Sequence, residues 1–554
     1  MLLVGLPQSL LLPRFGPSNA RTLREEGAPP PLAAQEEAPL IDALVEASNS
    51  VRAPFFFPGH KMGADTPRVL RKRLLHGTRP LQYDLPELPE IDGLFAADGP
   101  IARAQALAAE AFGAARTWYL VNGSTAGVIA AVLACVQLAR QRGVAAPAVL
   151  LPRNAHRSAV AALIASGAAP VWLPPAYDAA SGLSVGVPAA EVRAALGRAA
   201  LGSVAAVLLV SPTYHGVLSD VAGAAAECEA NGVPLIVDEA HGAHLGFLGP
   251  ASTATATAAT ALASGAHVAV QSTHKTLGSL TQSAMVHASG GAVARWPRLA
   301  PALATALEQQ QSSSPSALLL ASLDAARWNV AAPSGAGLPS LRRAAALSER
   351  LRAALVGPRA PRGVRVWEPR AGAAGVAATD PLRLTLLTGG GGGGALESGF
   401  ALDDALIARG VYAELPEAGS LTFALSAGTR PRHTRRLLAA LRRVSRDGAP
   451  PSGEAAKTAA AAAAAAGAEW PAARAEMTPR EAYFLRQKAV AFSSAAGRVS
   501  AELVSAYPPG IPMLVPGERV DAAALRTLDE LRAAGCTLSG LADESGETLL
   551  VIDA

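Results

Sequence analysis

The sequence predicts an α/β protein with a large domain built on a mainly parallel sheet, followed by a small α+β domain and a C-terminal domain. Between residues 51 and 330, short apolar runs alternate with Ala-rich segments of helical length. This alternation is typical of a parallel sheet with helices on both faces. Ligands bind such sheets at the carboxyl ends of their strands. The predicted strands are Val149–Leu151, Val171–Leu173, Val204–Val210, Leu235–Val237 and Val268–Val270.

The 554 residues are enough for several domains, and half of them are apolar. We assign 1–50 to an N-terminal extension that becomes helical near Ile41, and 51–330 to the large domain. Residues 331–446 form the small domain, 447–475 a low-complexity linker with an eight-alanine run, and 476–554 the C-terminal domain. The first 24 residues contain three arginines and no acid, which fits either a disordered tail or an organelle transit peptide.

Charge and hydropathy exclude several classes of protein. The formal charge is +4 and no dense Lys/Arg block occurs, so nucleic-acid binding is not expected. The apolar segment Ala126–Ala139 is too short to span a membrane and predicts a buried helix. The three cysteines have neither metal-ligand spacing nor a disulfide pattern. We therefore expect a soluble intracellular protein without a metal, in the cytoplasm or, with a transit peptide, in a plastid or mitochondrion.

A lysine and an aspartate follow two neighbouring predicted strands. Asp238 comes directly after Leu235–Val237, and Lys275 stands just past Val268–Val270. Taken alone, each has a common structural explanation, as a helix-capping aspartate and a surface lysine. Together they suit pyridoxal 5'-phosphate (PLP), because a lysine amine bonds to its aldehyde and an acid keeps its pyridine nitrogen protonated.

Small residues and hydroxyls open the helix that follows another apolar run, Trp118–Val121. Backbone N–H groups and the helix dipole at such an N-terminus favour a phosphate, although N-capping alone would also explain the hydroxyls. Beside a lysine that holds PLP, this segment predicts the phosphate site. The predicted phosphate-binding residues are Gly123, Ser124, Thr125, Ser272 and His274.

Histidines follow two of the predicted strands. His156 can stack on a pyridine ring or stand near the group that is lost or protonated, and its alternative is a partly buried loop histidine. His241, three residues after Asp238, can reach the same pocket or orient the acid. His244 is expected to be structural. The segment Thr213–Gly216 offers hydroxyls near the phenolic oxygen of the ring.

From about Ala53 to the C-terminus, the chain resembles the PLP-dependent ornithine/lysine/arginine decarboxylases of the aspartate-aminotransferase-like fold, fold type I. The last two of the matching stretches lie in the C-terminal domain of that family, which aminotransferases lack. The matching stretches are Pro58–Lys61, Glu87–Asp92, Asn122–Thr125, Asn154–His156, Asp238–His244, Ser272–Lys275, Ser314–Ser316, Tyr507–Pro512 and Pro516–Glu518.

The resemblance implies a PLP-dependent transferase-like large domain and a role for each matching residue. Lys275 would hold the cofactor, Asp238 would pair with the pyridine nitrogen, and His156 would stack on the ring. The segment Ser312–Ser316 would reach the active site of a neighbouring subunit, with Ser312, Ser314 and Ser316 as its hydroxyls. A homodimer or a higher homo-oligomer is therefore expected.

The same resemblance implies decarboxylation of a basic amino acid. Arginine is favoured, with lysine and ornithine as alternatives, and the product would be agmatine, cadaverine or putrescine. Glu87, Glu414 and Glu518 are candidate anchors for the distal cation of the substrate. Two other functions stay open: another fold type I PLP enzyme, such as an aminotransferase or a carbon–carbon lyase, and a non-catalytic relic.

Overall fold

The computed structural model describes residues 32–178, 181–199, 202–249, 259–389, 396, 398–447, 475–507, 511–533 and 536–553. Two segments named above lie outside these residues, namely the first 31 residues and the linker from 448 to 474 with its alanine run. Residues 508–510 of the matching stretch Tyr507–Pro512 lie outside them as well, and so does most of the glycine run Gly389–Gly394, for which the sequence predicts a flexible loop.

The large domain is built on a seven-stranded sheet with the strand order β1-β8-β7-β6-β4-β2-β3. Strand β8 is antiparallel to both of its neighbours, and the other strands pair in parallel. Every strand predicted for this domain is present, within two residues of its expected bounds. The strands are β1 (Arg116–Leu120), β2 (Ala148–Pro152), β3 (Ala169–Leu173), β4 (Val204–Val210), β5 (Val217–Leu218), β6 (Leu235–Asp238), β7 (Val268–Gln271) and β8 (Ala284–Ala288).

Helices cover both faces of this sheet, as the apolar pattern predicts. One hydrophobic cluster joins the sheet to α4, α5 and α11, and another joins it to α6 and α7 on the opposite face. The helices are α1 (Pro39–Ser50), α2 (Arg68–Arg73), α3 (Pro100–Ala111), α4 (Gly123–Gln141), α5 (Arg157–Ser166), α6 (Ala189–Arg198), α7 (Val221–Asn231), α8 (Leu245–Leu248), α9 (Thr273–Thr276), α10 (Gly290–Arg295), α11 (Leu299–Gln310) and α12 (Ala317–Ala331). Short 3-10 helices span Leu32–Glu36, Arg79–Gln82 and Leu94–Ala96.

The end of the predicted N-terminal extension belongs to the folded domain. A helix near Ile41 was expected, and α1 buries Leu40 and Leu44 in the core. The backbone N–H of Leu40 donates to Asp324 on α12 over 3.0 Å, and the buried Arg327 donates to the carbonyl of Gln35 over 2.9 Å. The folded chain therefore begins before residue 50.

Helix α4 is long and apolar enough to cross a membrane, but most of it is buried against the sheet and α11. Gly127 allows α4 to lie very close to the sheet. A Cβ at this position would lie 2.7 Å from Val270 on β7 and 2.8 Å from Val286 on β8. We therefore regard α4 as a buried core helix, as predicted for Ala126–Ala139, although it is longer than the predicted segment.

The small domain packs three helices on a four-stranded antiparallel sheet with the order β12-β13-β11-β9. Its helices are α13 (Gly337–Val356), α14 (Gly399–Ile407) and α15 (Pro431–Asp447), and its strands are β9 (Arg365–Val366), β10 (Ala378–Thr379), β11 (Arg383–Leu387), β12 (Leu415–Pro416) and β13 (Ser420–Ala424). Strand β10 pairs with β5 of the large domain in a separate two-stranded sheet, so the chain enters β11 directly after a contact with the large domain.

The C-terminal domain has two small sheets around its own hydrophobic cluster. Its elements are α16 (Pro479–Phe484), β14 (Gln487–Ala491), the 3-10 helix Phe492–Ser494, β15 (Val504–Tyr507), β16 (Ile511–Leu514), α17 (Ala522–Ala533), β17 (Thr537–Ser539) and β18 (Thr548–Ile552). A buried ion pair joins it to the large domain, because Arg153 after β2 contacts both carboxylate oxygens of Glu518, over 2.5 and 2.8 Å.

Candidate active site

A cavity of about 340 Å³ opens at the carboxyl ends of β4, β6 and β7. The structure brings all of the predicted cofactor-binding residues to its wall. These are Gly123, Ser124, Thr125, His156, Asp238, His241, Ser272, His274 and Lys275. Thr213 and Tyr214 line it as well, and Ile511 comes from the C-terminal domain.

Lys275 stands in α9, just past β7, with its amine in the cavity. Its Nζ lies 3.1 Å from Nε2 of His241 and 5.6 Å from the centre of the Tyr214 ring. Burial lowers the pKa of Lys275, and Arg383 lowers it further, whereas the carboxylates of Asp238 and Glu414 raise it. The net effect is a pKa below the ordinary value for lysine, which increases the share of the uncharged, nucleophilic amine.

Asp238 ends β6 with only 6% of its surface exposed. Its Oδ1 accepts a hydrogen bond from the backbone N–H of Ala240 over 3.2 Å. Burial raises the pKa of this carboxyl group, and the electrostatic interaction with His156 and Lys275, when these carry a proton, opposes the rise. Among the described residues, no arginine or lysine forms a salt bridge with Asp238, so this buried carboxylate is suited to a cationic partner inside the cavity.

Hydroxyl groups gather where α4 begins. The Ser272 hydroxyl donates to the Ser124 hydroxyl over 2.7 Å, which joins the segment before α9 to the first turn of α4. His274 is fixed by a contact of 2.9 Å between its Nδ1 and the carbonyl of Ser283. The N–H groups of the first turn of α4 and these hydroxyls give the cavity an anion-binding end.

His156 caps α5, because its Nδ1 accepts the backbone N–H of Ser158 over 3.2 Å. The ring is exposed on the cavity wall rather than buried in a loop. Removal of water around it lowers the pKa of His156, and Lys275 and Arg157 lower it further, against the opposing effect of Asp238. The flat ring of His156 therefore faces the cavity with a pKa below its ordinary value.

His241 is held on two sides. The Tyr214 ring packs against it with 4.4 Å between ring centres, and Nη2 of Arg383 lies 3.0 Å from its Nδ1. Arg383 begins β11 and is 3% exposed. Arg383 is not among the residues predicted above. Its sequence signal is a charged residue between leucines in the short segment Leu382–Leu386.

Other predicted residues lie elsewhere. Ser312 and Ser314 are exposed, Ser316 caps α12, and none of the three lines this cavity. His244 is fully buried and contacts Asp380 over 2.9 Å, in agreement with a structural role. Within the part of the chain that the structure describes, no group of three or more His, Cys, Asp and Glu side chains could hold a metal ion.

The three candidate anchors for the substrate cation have different surroundings in the structure. Glu518 is bound to Arg153 and to Nε1 of Trp172, over 2.9 Å, so its assignment as an anchor is wrong. Glu87 is exposed and accepts the N–H of Leu94. Glu414, just before β12, is exposed and raises the pKa of Lys275, so it acts electrostatically on the site.

The sheet and the lysine and aspartate at its edge define the class, which is that of fold type I PLP enzymes. Two family models match the chain: the Orn/Lys/Arg decarboxylase major domain over residues 38–429 and the C-terminal domain of the same family over residues 462–545. The chain therefore belongs to the Orn/Lys/Arg decarboxylase family, whose members are PLP-dependent carboxy-lyases of basic amino acids.

Known proteins of this kind match nearly the whole chain. An arginine decarboxylase of Halalkalibacterium halodurans is 30% identical over 520 residues, which are 94% of this chain and 98% of the relative. The lysine decarboxylase LdcA of Pseudomonas aeruginosa is 26% identical over 583 residues, with 90% and 76% covered. The crystal structure of the lysine decarboxylase LdcF of Francisella novicida has the same fold, with a TM-score of 0.76, 19% identity, and 94% and 82% covered.

Proposed function

We propose that this protein decarboxylates arginine to agmatine and CO₂, with Lys275 as the residue that binds PLP. The observation that carries the proposal is the amine of Lys275, which faces the same cavity as the buried carboxylate of Asp238 and the hydroxyl-lined start of α4. The preference for arginine is supported by the name of the Halalkalibacterium relative, which matches over almost its full length.

The residues present fit PLP at each of its polar ends. Asp238 supplies a buried carboxylate for the pyridine nitrogen, and the linked hydroxyls of Ser124 and Ser272 stand at the anion-binding end of the cavity. Thr125 and His274 line the same end. When bound, PLP supplies the electron sink that takes up the electron pair left at Cα by departing CO₂.

The protein's own groups orient and protonate the reactants. Lys275 would hold the cofactor through its amine, and in its ammonium form it would give a proton to Cα after CO₂ has left. Asp238 keeps a proton on the pyridine nitrogen, because an adjacent negative charge favours the cationic form. His156 presents a flat ring on the wall of the cavity, where it would stack on the pyridine ring of the cofactor.

We assign the distal cation of the substrate to Glu414. Of the three candidate carboxylates, Glu518 is occupied by Arg153, whereas Glu414 is exposed and acts on Lys275 through its charge. A carboxylate pairs with a guanidinium through two parallel hydrogen bonds, which suits arginine in particular.

The lining of the cavity favours decarboxylation over transamination. An arginine that holds the α-carboxylate of the substrate would preserve the bond that decarboxylation must break. Among the residues described, no arginine lines the cavity, and Arg383 lies on the far side of His241 from Lys275.

The test is to offer arginine, lysine and ornithine separately to the purified protein with PLP, and to measure CO₂, amine and keto acid. We expect CO₂ and agmatine in equal amounts from arginine, at a higher kcat/KM than for the other two. A keto acid without CO₂ would contradict decarboxylation. A higher kcat/KM for lysine or ornithine would contradict the substrate assignment alone.

A further inference from the structure

Arg383 reaches the active site from the small domain, on the opposite edge of His241 from Lys275. Its Nη2 lies 3.0 Å from Nδ1 of His241, and Nε2 of the same ring lies 3.1 Å from Nζ of Lys275. Three side chains thus form a continuous line from the buried start of β11 to the amine in the cavity.

The first contact fixes the position of the hydrogen on His241. A guanidinium has only donors, so the ring nitrogen that faces it must accept and cannot carry a hydrogen. A neutral imidazole then carries its hydrogen on the other nitrogen, which faces Lys275. This conclusion does not depend on which way the ring is oriented, because either nitrogen facing Arg383 would have to accept.

The second contact then fixes the state of Lys275. The N–H of His241 needs an acceptor, and an ammonium group has none, whereas an uncharged amine offers one lone pair. We propose that Arg383 is a positioning residue that acts through His241 to hold Lys275 as a free amine. The proposal rests on the proposed role of Lys275, because only the free amine can attack an aldehyde.

The packing around Arg383 keeps it in place. Gly216 leaves room for its stem, since a Cβ there would lie 2.5 Å from Cβ of Arg383. The backbone of Asp380 donates to the carbonyl of Gly216 over 2.7 Å, and Arg352 donates to the carbonyl of Arg383. The arginine is therefore held between the loop before β5 and the start of β11.

The charged groups around Lys275 shift its pKa in both directions. Asp238 and Glu414 favour the charged form of Lys275, whereas burial and Arg383 favour the free amine. His241 is kept neutral by burial first, then by Lys275 and Arg383, with His156 and His244 adding to the effect. The experiments must therefore distinguish the effect of Arg383 on the pKa of Lys275 from the effect of burial.

The direct test is the position of the hydrogen on His241 in the unsubstituted protein. The full chain, with its ten histidines labelled with ¹⁵N and its cofactor removed, is studied by NMR. The His241 signals are identified by their loss in His241→Gln. We expect a neutral ring at neutral pH, with a bare Nδ1 and a protonated Nε2. A hydrogen on the nitrogen that faces Arg383, or a charged ring, would overturn the proposal whatever the variants do.

The second test measures how fast the cofactor-free protein captures PLP as a function of pH. Arg383→Leu removes the donor, and Arg383→Lys keeps a cationic donor. We expect the pH midpoint of capture to rise by about one unit in Arg383→Leu, because Lys275 regains its proton more readily. The midpoint should stay near the original value in Arg383→Lys. A folded Arg383→Leu protein with an unchanged midpoint would show that burial alone controls Lys275.

Failure of this inference is distinguishable from failure of the proposed function. A protein that releases CO₂ from arginine but carries the hydrogen on Nδ1 of His241 would defeat the role of Arg383 alone. A protein with the expected tautomer that releases no CO₂ would defeat the proposed reaction alone.

Discussion

At the scale of single residues, burial changes the chemistry of the two central groups of the site. It raises the pKa of the Asp238 carboxyl group and lowers the pKa of the Lys275 amine. Asp238 and Lys275 were predicted from their positions after two apolar runs, and the structure places both on one cavity. The pattern sufficed because neighbouring parallel strands end at the same edge of a sheet. The sequence also named three glutamates as anchors, but only the structure shows that Glu518 is already paired with Arg153.

The first prediction concerns the charge of Asp238. Asp238→Asn keeps the shape of the side chain but removes the charge that holds a proton on the pyridine nitrogen. We expect kcat to fall on the order of 100-fold, or about 3 kcal/mol, as when a preorganised electrostatic partner is lost. PLP should still bind, more weakly. Steady-state kinetics and cofactor titration measure the two effects, and a near-normal kcat would show that Asp238 is only structural.

The second prediction concerns Glu414, with Glu87 as the matched control. Glu414→Gln removes a negative charge that acts on the site, so we expect KM for arginine to rise about 10-fold, as expected for the loss of a charged hydrogen bond. Glu87→Gln removes a charge from the other remaining candidate and should leave KM unchanged. Steady-state kinetics of both variants decide between them. If the control loses affinity and Glu414→Gln does not, the two assignments must be exchanged.

At the scale of elements, a buried polar chain crosses the large sheet beside the site. Nδ1 of His287 on β8 contacts Thr117 on β1 over 2.8 Å, and its Nε2 contacts Gln271 on β7 over 3.1 Å. Gln271 donates to Glu239, just after β6, over 2.8 Å. Burial lowers the pKa of His287 to about 3 and raises that of Glu239 to about 7. Side chains from β1, β8 and β7 and from the residue after β6 are thus joined in one network. Burial shifts the pKa values of its histidine and its glutamate in opposite directions.

The third prediction follows from Glu239. Its pKa of about 7 in the folded protein lies above the ordinary value of 4.5, so the folded state holds its proton more tightly. The free energy of unfolding should therefore fall as pH rises from 4.5 to 7, by about 3 kcal/mol from this group. In Glu239→Gln this loss should be absent. Denaturant unfolding of both proteins across this range measures the difference, and parallel curves would contradict the assignment.

Burial lowers the pKa of His287, and this shift makes stability depend on pH in the opposite direction from Glu239. Its contribution to stability is present above pH 6.5 and is lost as pH falls toward 3. The wild-type curve alone therefore combines both groups below pH 6.5. The difference between Glu239→Gln and the wild type isolates the carboxyl group.

The elements differ in how well the sequence predicted them. Strands β2, β4 and β6 were found close to their bounds because each is a short apolar run buried on both faces. The position of Arg383 was not predictable in this way. It depends on the pairing of β10 with β5, a contact between distant parts of the chain that no local pattern encodes.

At the scale of the whole molecule, the C-terminal domain is attached through buried charges. Side chains of Arg153 and Glu518 are 8% and 3% exposed, and Arg153 also donates to the carbonyl of Met513 over 2.8 Å. Ile511 of the same domain lines the active-site cavity. The attachment of this domain and the shape of the cavity are therefore linked.

The fourth prediction tests this attachment. Glu518→Gln leaves the buried Arg153 without its counter-charge, so we expect a loss of about 3 kcal/mol in the free energy of unfolding. The control is Glu476→Gln, which breaks a partly exposed pair with Arg519 and should cost less than about 1 kcal/mol. Denaturant unfolding measures both variants. Equal effects would show that the buried pair adds nothing to the attachment.

The last prediction concerns assembly. Ser312 and Ser314 are exposed and lie off the cavity of their own chain, so the loop is free to serve a neighbouring subunit. We propose a homodimer with shared sites, in which Lys275→Ala and Ser314→Arg homodimers are each nearly inactive. Mixing the two should restore activity, because a two-fold heterodimer combines one intact lysine with one intact loop in the same site. The assay is CO₂ release after mixing, with subunit exchange followed by a mass tag on one chain. If exchange is complete and no activity returns, Ser312–Ser316 is only the start of α12 in its own subunit.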